Sequence, residues 1–377
     1  MKANPDHLSR RSFIVGSLAS LGAFAAFGLA GCGPQDSSST GGASECCPAE
    51  TTYEVGIGHL NSTAHLLAFV AKEEGFFAQE GVNATLTQFS SSSELVAGLE
   101  SEKLQIALIG SVPTLVNASA GHDISVFGGA MTNGHGYVIK SKYTEGLDSW
   151  DATILKGRNV AVPRTTVQEL ELYQILDKYG LTYGEGEGHD VQITYFESQK
   201  DAYNALSNDS IDAASTYSPY TSIAEADGHS IVYKCYEEDI FENQPCCRQV
   251  ALTSALASDA DLFVAAEKAL IRAYAFYKDP ANKEATIKDV QAYIDISENQ
   301  IEYEIFTPEY CDSNPDPDYK ATLELKDNAA KFGYLQDFDL SAHYNTDIYD
   351  RALSALESED ASNSFYQQLR EHFEKYE

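Results

Sequence analysis

The chain has 377 residues, with 57 Asp and Glu against 25 Lys and Arg, and a formal net charge of −32. That acidity argues against a nucleic-acid partner, because phosphate neutralisation needs clustered Lys and Arg, and it disfavours a peripheral protein held on anionic lipid by basic contacts. A hydrophobic share of 43% with 22% charged residues belongs to a folded chain, long enough for two ordinary domains or one large one.

Residues 1–31 read as an export signal. Arg10 and Arg11 stand before Ser12 and Phe13, and a run of small apolar residues follows over 15–30, the arrangement of a secretory segment with a twin-arginine start. The run closes on Leu29-Ala30-Gly31-Cys32, which resembles a bacterial lipobox. Cys32 is then the lipidated mature N-terminus; an uncleaved anchor is the alternative. Losing residues 1–31 removes three positive charges and one negative, leaving −34. Residues 33–44 are rich in Gly and Ser and cannot build a core, so 32–52 reads as a lipidated flexible tether. No later segment has the ~20 continuous apolar residues that cross a bilayer. The expected location is outside the cytoplasm, anchored by lipid and facing the periplasm or the cell exterior.

Beyond the tether, strands and helices alternate. A strand over 53–58 leads through Asn61, Ser62 and Thr63, which offer capping oxygens, into a helix over 64–71 that Gly75 stops. Strands over 84–89, 106–109, 124–129 and 137–140 follow, with helices beginning after Ser90–Ser93 and after Pro113. The same pattern restarts after Asp148, with strands over 157–162, 191–195, 211–214, 231–234 and 249–253 and helices over 168–179 and 199–207. From Asp259 onward the chain is mainly helical. This βαβα rhythm predicts an α/β fold of parallel sheets. The expected organisation is two lobes about a hinged cleft: 53–140 as the first part of lobe 1, 141–248 as lobe 2, and 249–377 as the return to lobe 1 with the C-terminal helices, the chain crossing near Lys140–Tyr143 and again near Arg248–Ala251.

In such sheets ligands gather at strand C-termini and helix N-termini, where unpaired N–H groups favour electron-rich groups. The candidate loops carry His59, Asn61 and Ser62; Ser91 and Ser92; Ser111; His135; Arg164, Thr165 and Thr166; and Tyr217. Ser and Thr at these places also serve simply as helix caps. Arg164 and Arg248 suit bidentate pairing with an oxyanion or, equally, a salt bridge to one of many carboxylates. Tyr217 suits stacking on a planar group.

Several stretches together resemble the sulfonate/nitrate/taurine and thiamine-precursor solute-binding proteins of ABC importers. They are Val55-Gly56-Ile57-Gly58, the run from Lys72 to Val82, Ile106–Pro113, Leu155–Val162 and Leu206–Ala213. The resemblance covers about residues 53–277 and implies a periplasmic-binding-protein fold, type II-like, with lobes closing over a solute. It further implies a monomeric receptor without enzyme activity or cofactor, delivering a small polar or anionic organic solute to a permease and ATPase. In sulfonate-type members helix N-termini and hydroxyls hold the oxyanion, which by resemblance assigns that role to Ser91, Ser92, Ser111, Thr165 and Thr166.

Cys246-Cys247-Arg248 departs from that pattern, since relatives carry an apolar or aromatic segment there. The six cysteines after Cys32, namely Cys46, Cys47, Cys235, Cys246, Cys247 and Cys311, allow 15 full pairings. Neighbouring cysteines seldom bond to each other, so a bridge from this run to Cys235 or Cys311 is expected, with free thiols such as Cys247 touching ligand as the alternative. An exported enzyme or metal-binding protein using Cys246 and Cys247, with His59, His65 and His135 nearby, is the competing reading.

Overall fold

The computed structural model describes residues 53–241, 243–307 and 310–377. The export signal, Cys32, the tether, Cys46 and Cys47 lie outside them. Among the described residues the strand–helix alternation builds two sheets of six strands.

Strands β1 (Tyr53–His59), β2 (Val82–Gln88), β3 (Ile106–Gly110) and β4 (Ile124–Asn133) come first, with helices α1 (Leu66–Glu73), α2 (Phe76–Gln79), α3 (Ser92–Glu100) and α4 (Ser111–Ser119) between them. The second set is β5 (His135–Ile139), β6 (Arg158–Pro163), β7 (Tyr183–Gly184), β8 (Val191–Phe196), β9 (Ala213–Tyr217) and β10 (Ser230–Lys234). Its helices are α5 (Val167–Lys178), α6 (Gln199–Ser207) and α7 (Tyr220–Ala226). The chain returns through β11 (Pro245–Leu252), α8 (Thr253–Ser258), α9 (Ala260–Lys278), α10 (Lys283–Gln291), α11 (Glu298–Phe306) and β12 (Cys311–Asp312). Helices α12 (Tyr319–Lys331), α13 (Thr346–Glu359) and α14 (Ser364–Tyr376) close it.

Sheet one has the order β12-β4-β11-β3-β1-β2 and sheet two β10-β5-β9-β6-β8-β7. β1 runs parallel to β2 and β3, and β6 parallel to β8 and β9; each parallel pair needs a crossover, which the intervening helices supply. β11 enters sheet one antiparallel, between β3 and β4.

The changes of sheet fall elsewhere than the sequence reading placed them. The first was expected near Lys140–Tyr143, but β5 already pairs with β9 of sheet two, so the chain crosses at Asn133–Gly134. Both residues are left-handed, with φ of 61° and 81°; asparagine tolerates that conformation, and a Cβ on Gly134 would stand 2.5 Å from Met131 Cε. The return was expected near Arg248–Ala251, but it is complete by Pro245, where β11 begins. Local pattern cannot assign a strand to a sheet when its partner lies some 80 residues away.

Apolar burial follows the sheets. Val55, Ile57, Phe69, Leu270, Tyr349 and Leu353 belong to the main core of lobe 1, where α1, α9 and α13 cover sheet one. Val160, Val162, Leu172 and Ile175 pack on one face of sheet two, and Ala161, Leu206 and Ala214 on the other. A further cluster joins the lobes: Val112 and Leu115 of α4 meet Val167 and Leu170 of α5 against Leu325 and Ala329 of α12. The C-terminal region therefore packs on both lobes, and α11 adds a second tie where Glu304 Oε1 accepts from the Ser222 N–H at 3.0 Å.

Candidate functional site

A cavity of about 370 Å³ is lined by both lobes, at the C-terminal ends of β1, β3, β6 and β9. Besides the turn that leads into α1, where Ser62 Oγ accepts from the Ala64 N–H at 3.2 Å, four helix N-termini reach it: α3 through Ser91 and Ser92, α4 through Gly110 and Pro113, α5 through Thr166 and Val167, and α6 through Ser198 and Gln199.

Three of these ends are already filled by their own side chains. Ser91 Oγ accepts from the Glu94 N–H at 3.3 Å, and the Glu94 carboxylate accepts from the Ser90 N–H at 2.8 Å. Thr166 Oγ1 accepts from the Glu169 N–H at 3.3 Å, while Glu169 Oε2 takes the Thr165 N–H at 2.5 Å. Ser198 Oγ accepts from the Asp201 N–H at 3.1 Å and donates to the Asp201 carboxylate at 2.7 Å. Each thus satisfies its orphan donors and sets a carboxyl group against its dipole. Helix α4 differs: its N-cap is Gly110, no described side chain caps it, and no acidic residue stands in its first turn. Its end remains available to an anion.

A second wall is made of sulfur and imidazole. Against β4, two steps of β11 from Pro245 to Cys247 answer one step from Thr132 to Met131, so Cys246 is the extra residue of a bulge. A bulge re-aims side chains that would otherwise alternate, and both sulfurs line the cavity, 3.3 Å apart. His135, fully buried, links Glu171 Oε1 at 3.0 Å through Nδ1 to Cys246 Sγ at 3.0 Å through Nε2. Burial works against charge on His135, but the Glu171 carboxylate outweighs it and holds the imidazole above its ordinary range. The two thiols are driven apart: burial and its neighbour push Cys246 well up, whereas the hydrogen bond from Cys246, aided by His65 and His135, holds Cys247 well down. Of the two sulfurs, Cys247 is therefore the one whose ionised form its surroundings favour. His65 Nδ1 accepts from the Leu60 N–H at 3.1 Å, which leaves Nε2 as donor in the neutral ring. That Nε2 is buried, on a cavity-lining residue, on the side of Cys247.

Of the residues expected from the sequence, Ser62, Ser91, Ser92, His135, Arg164, Thr165, Thr166, Tyr217 and Cys247 line the cavity. Arg164 does so from an exposed rim, bonded to Glu185 at 3.1 Å and lying 3.7 Å over the Tyr195 ring. The other four are not cavity-lining. His59 packs edge-on to Phe69 at 5.0 Å, and burial lowers its imidazole to about 4. Asn61 stands beside Tyr220 of the other lobe and moderates the upward push of burial on that phenol. Ser111 is buried, its Oγ without a described partner. Arg248 is fully buried and paired with Asp318. Gln168, Gln199, Asn117 and Glu197 also line the cavity and were not singled out; Gln168 and Gln199 stand in first turns of helices, a position the sequence displays. The expected bridge to Cys235 or Cys311 is not formed: Cys235, Cys246, Cys247 and Cys311 are buried free thiols. Donor atoms of His135, Glu171 and Cys235 lie within 4.8 Å of one another, as do those of Asp316, Asp318 and His372; in both groups a histidine–carboxylate hydrogen bond already occupies donors.

Two α/β lobes with a cavity at their facing strand ends define the periplasmic-binding-protein fold, and solved structures bear this out. The nitrate-binding protein of Synechocystis PCC 6803 superposes with a TM-score of 0.70 at 16% identity, covering 82% of this chain and 90% of that one. The aliphatic sulphonate binding protein of Escherichia coli superposes with a TM-score of 0.62 at 16% identity, covering 77% and 91%. At these identities the likeness is one of fold. Residues 48–291 match the model of the NMT1-like family, and the chain belongs to that family. A Bacillus subtilis (strain 168) protein named as an aliphatic sulfonates-binding protein is 30% identical over 206 residues, 52% of this chain and 55% of that protein. The chain thus spans about half the length of that curated relative. No helix among the described residues is long and apolar enough to cross a membrane.

Proposed function

We propose that this chain is the solute-binding component of an ABC importer and holds a small oxyanion, an organic sulfonate or a nitrate-like ion, in the interlobe cavity. The observation that carries this reading is the uncapped end of α4, which lines the cavity while the other three helix ends are filled. Its family, and the sulfonate and nitrate named for its relatives, support the same class of solute. The protein acts as a receptor without catalysis and as a monomer: solute closes the lobes by contacts available only in the closed state. Export through the twin-arginine signal, a lipid on Cys32 and delivery to a permease and ATPase complete the proposal. The charge of −34 after signal removal means that short-range donors, not the overall field, hold the anion.

A thermal-shift screen with alkanesulfonates, taurine, nitrate and pyrimidines tests it. A true solute at 100 times its dissociation constant adds about 2.7 kcal/mol of stability. Gly110→Asp supplies α4 with a cap and a negative charge. Its Cβ would meet Pro113 at 3.3 Å, so the fold adjusts slightly, and the solute effect should disappear. An unchanged response in that variant overturns the α4 assignment; no response to any oxyanion overturns the solute class. Cys32→Ser should release the protein from the membrane fraction.

A further inference from the structure

The sulfur and imidazole wall is chemistry that holding a sulfonate or nitrate does not use. Both sulfurs, His135 Nε2 and the buried His65 Nε2 belong to residues lining the same cavity. Gly110, the N-cap of the open helix α4, is the cross-strand register partner of Cys247, which sets their Cα atoms about 5 Å apart. An anion seated at α4 therefore lies next to Cys247.

We propose that Cys247 is a covalent capture residue for a solute carrying an electrophilic sulfur beside an oxyanion, the S-sulfonate group R–S–SO₃⁻ being the smallest such unit. Its sulfonate would sit at the α4 end, so the position of the anion rests on the importer reading above, while the sulfur chemistry does not. In the step, the Cys247 thiolate attacks the sulfenyl sulfur. A new S–S bond joins Cys247 to R–S, the S–SO₃ bond breaks, and its electron pair leaves with sulfite, SO₃²⁻. Cys247 is oxidised to a mixed disulfide and the departing sulfonate sulfur is reduced to sulfite; no proton and no other oxidant is consumed. The negative charge gathering on sulfite lies where the helix end favours it. Cys246 keeps Cys247 ionised by donating its S–H. It does not displace R–S, because a bond between adjacent cysteines strains the peptide. The titratable groups facing Cys247 are Cys246, His65, His135 and Tyr217, with Glu171 behind His135.

The purified full chain is incubated with S-sulfocysteine; sulfite release is followed, and modified cysteines are located by peptide mass spectrometry. Expected are one sulfite per chain, a cysteine adduct on Cys247, and a rate that rises with pH less steeply than that of an ordinary thiol, because Cys246 and the two imidazoles hold the Cys247 thiol below its usual range. Cys247→Ser should abolish the adduct, and Gly110→Asp should slow it at least tenfold. Adducts confined to Cys32, Cys46 or Cys47 would overturn the capture role. So would a Cys247 rate that rises about tenfold per pH unit, as for an ordinary thiol. A chain that methanesulfonate or nitrate stabilises but S-sulfocysteine leaves unmodified at Cys247 loses the capture role and keeps the importer reading. A Cys247 adduct indifferent to Gly110→Asp removes the anion from α4.

Discussion

Arg248 and Asp318 meet at 3.2 Å with both side chains fully buried. The guanidinium also donates to the carbonyls of Met131 at 3.3 Å and Cys247 at 3.0 Å, and His372 Nε2 bonds the same aspartate at 2.7 Å. The pair fastens the segment leading into α12 onto β11. Removing one partner of a buried pair leaves the other charge without compensation, which costs about 3–5 kcal/mol. Arg248→Ala should therefore lower stability by about that amount in urea denaturation, with solute affinity of the folded fraction changed less than about threefold. Lost affinity with unchanged stability would return Arg248 to the binding site.

The same cluster sets a pH dependence. Asp316 Oδ2 is buried with no described hydrogen-bond partner, and burial, reinforced by the neighbouring Asp318, pushes the carboxyl up to about 7. The unfolded chain releases this proton near pH 4 and the folded chain near pH 7. Between those values the folded state binds more protons, so stability falls as pH rises and levels off above about 7. His372 acts in the same sense: burial opposes its charge, Asp318 more than offsets this and raises the imidazole, and the stability gained is lost as pH rises through that value. The protein should be more stable at pH 5 than at pH 8. Asp316→Asn should flatten the fall between pH 4 and pH 7 by up to about 1.4 kcal/mol per pH unit, read from denaturation curves across that range. An unchanged slope would mean that Asp316 titrates normally.

Much of this was legible in the sequence because it is local. Capping residues such as Ser91, Thr166 and Ser198 announce helix starts, and each start follows a strand, which places loops at the cavity before any coordinate is known. Side-chain direction is a different matter. Cys247 and Arg248 are neighbours on one strand, yet one lines the cavity and the other is buried against Asp318. Alternation along the strand separates those two, but which of them faces the cavity, and why Cys246 joins Cys247 there, depends on the bulge at Cys246, a property of pairing with β4. Likewise the local pattern of β5 continues that of lobe 1, and only its pairing with β9 assigns it to sheet two. The amides of Gln168 and Gln199 carry no such local signal, yet Gln168 Nε2 donates to Gln199 Oε1 at 3.2 Å and both residues line the cavity.

Thr165 carries strain at the cavity. Its φ is 55°, a left-handed conformation that is a real outlier for a β-branched residue. The Thr165 N–H bond to Glu169 Oε2 at 2.5 Å holds it there. Such strain costs on the order of 1–3 kcal/mol, and asparagine bears the conformation more easily. Thr165→Asn should raise stability by about 0.5–1 kcal/mol in chemical denaturation. A loss of more than about 1 kcal/mol would show that the threonine methyl or hydroxyl contributes more than its backbone costs.

Closure is the last relationship open to test. Ser62 Oγ donates to the Ser218 carbonyl at 2.8 Å, and Thr63 bonds the Ser218 hydroxyl; both bonds join the β1 loop of lobe 1 to the β9 loop of lobe 2. A hydrogen bond made only when the lobes meet favours the closed state by about 1 kcal/mol. Solute affinity scales with the population of that state. Ser62→Ala should therefore weaken binding of the stabilising oxyanion about three- to tenfold by calorimetry, mainly through faster release. Arg164→Ala is the contrasting case, since Glu185 and Tyr195 already hold that guanidinium at the exposed rim. Its affinity should stay within about threefold of the parent. If Arg164→Ala is the more damaging change, the anion sits at the α5 end of the cavity and not at α4.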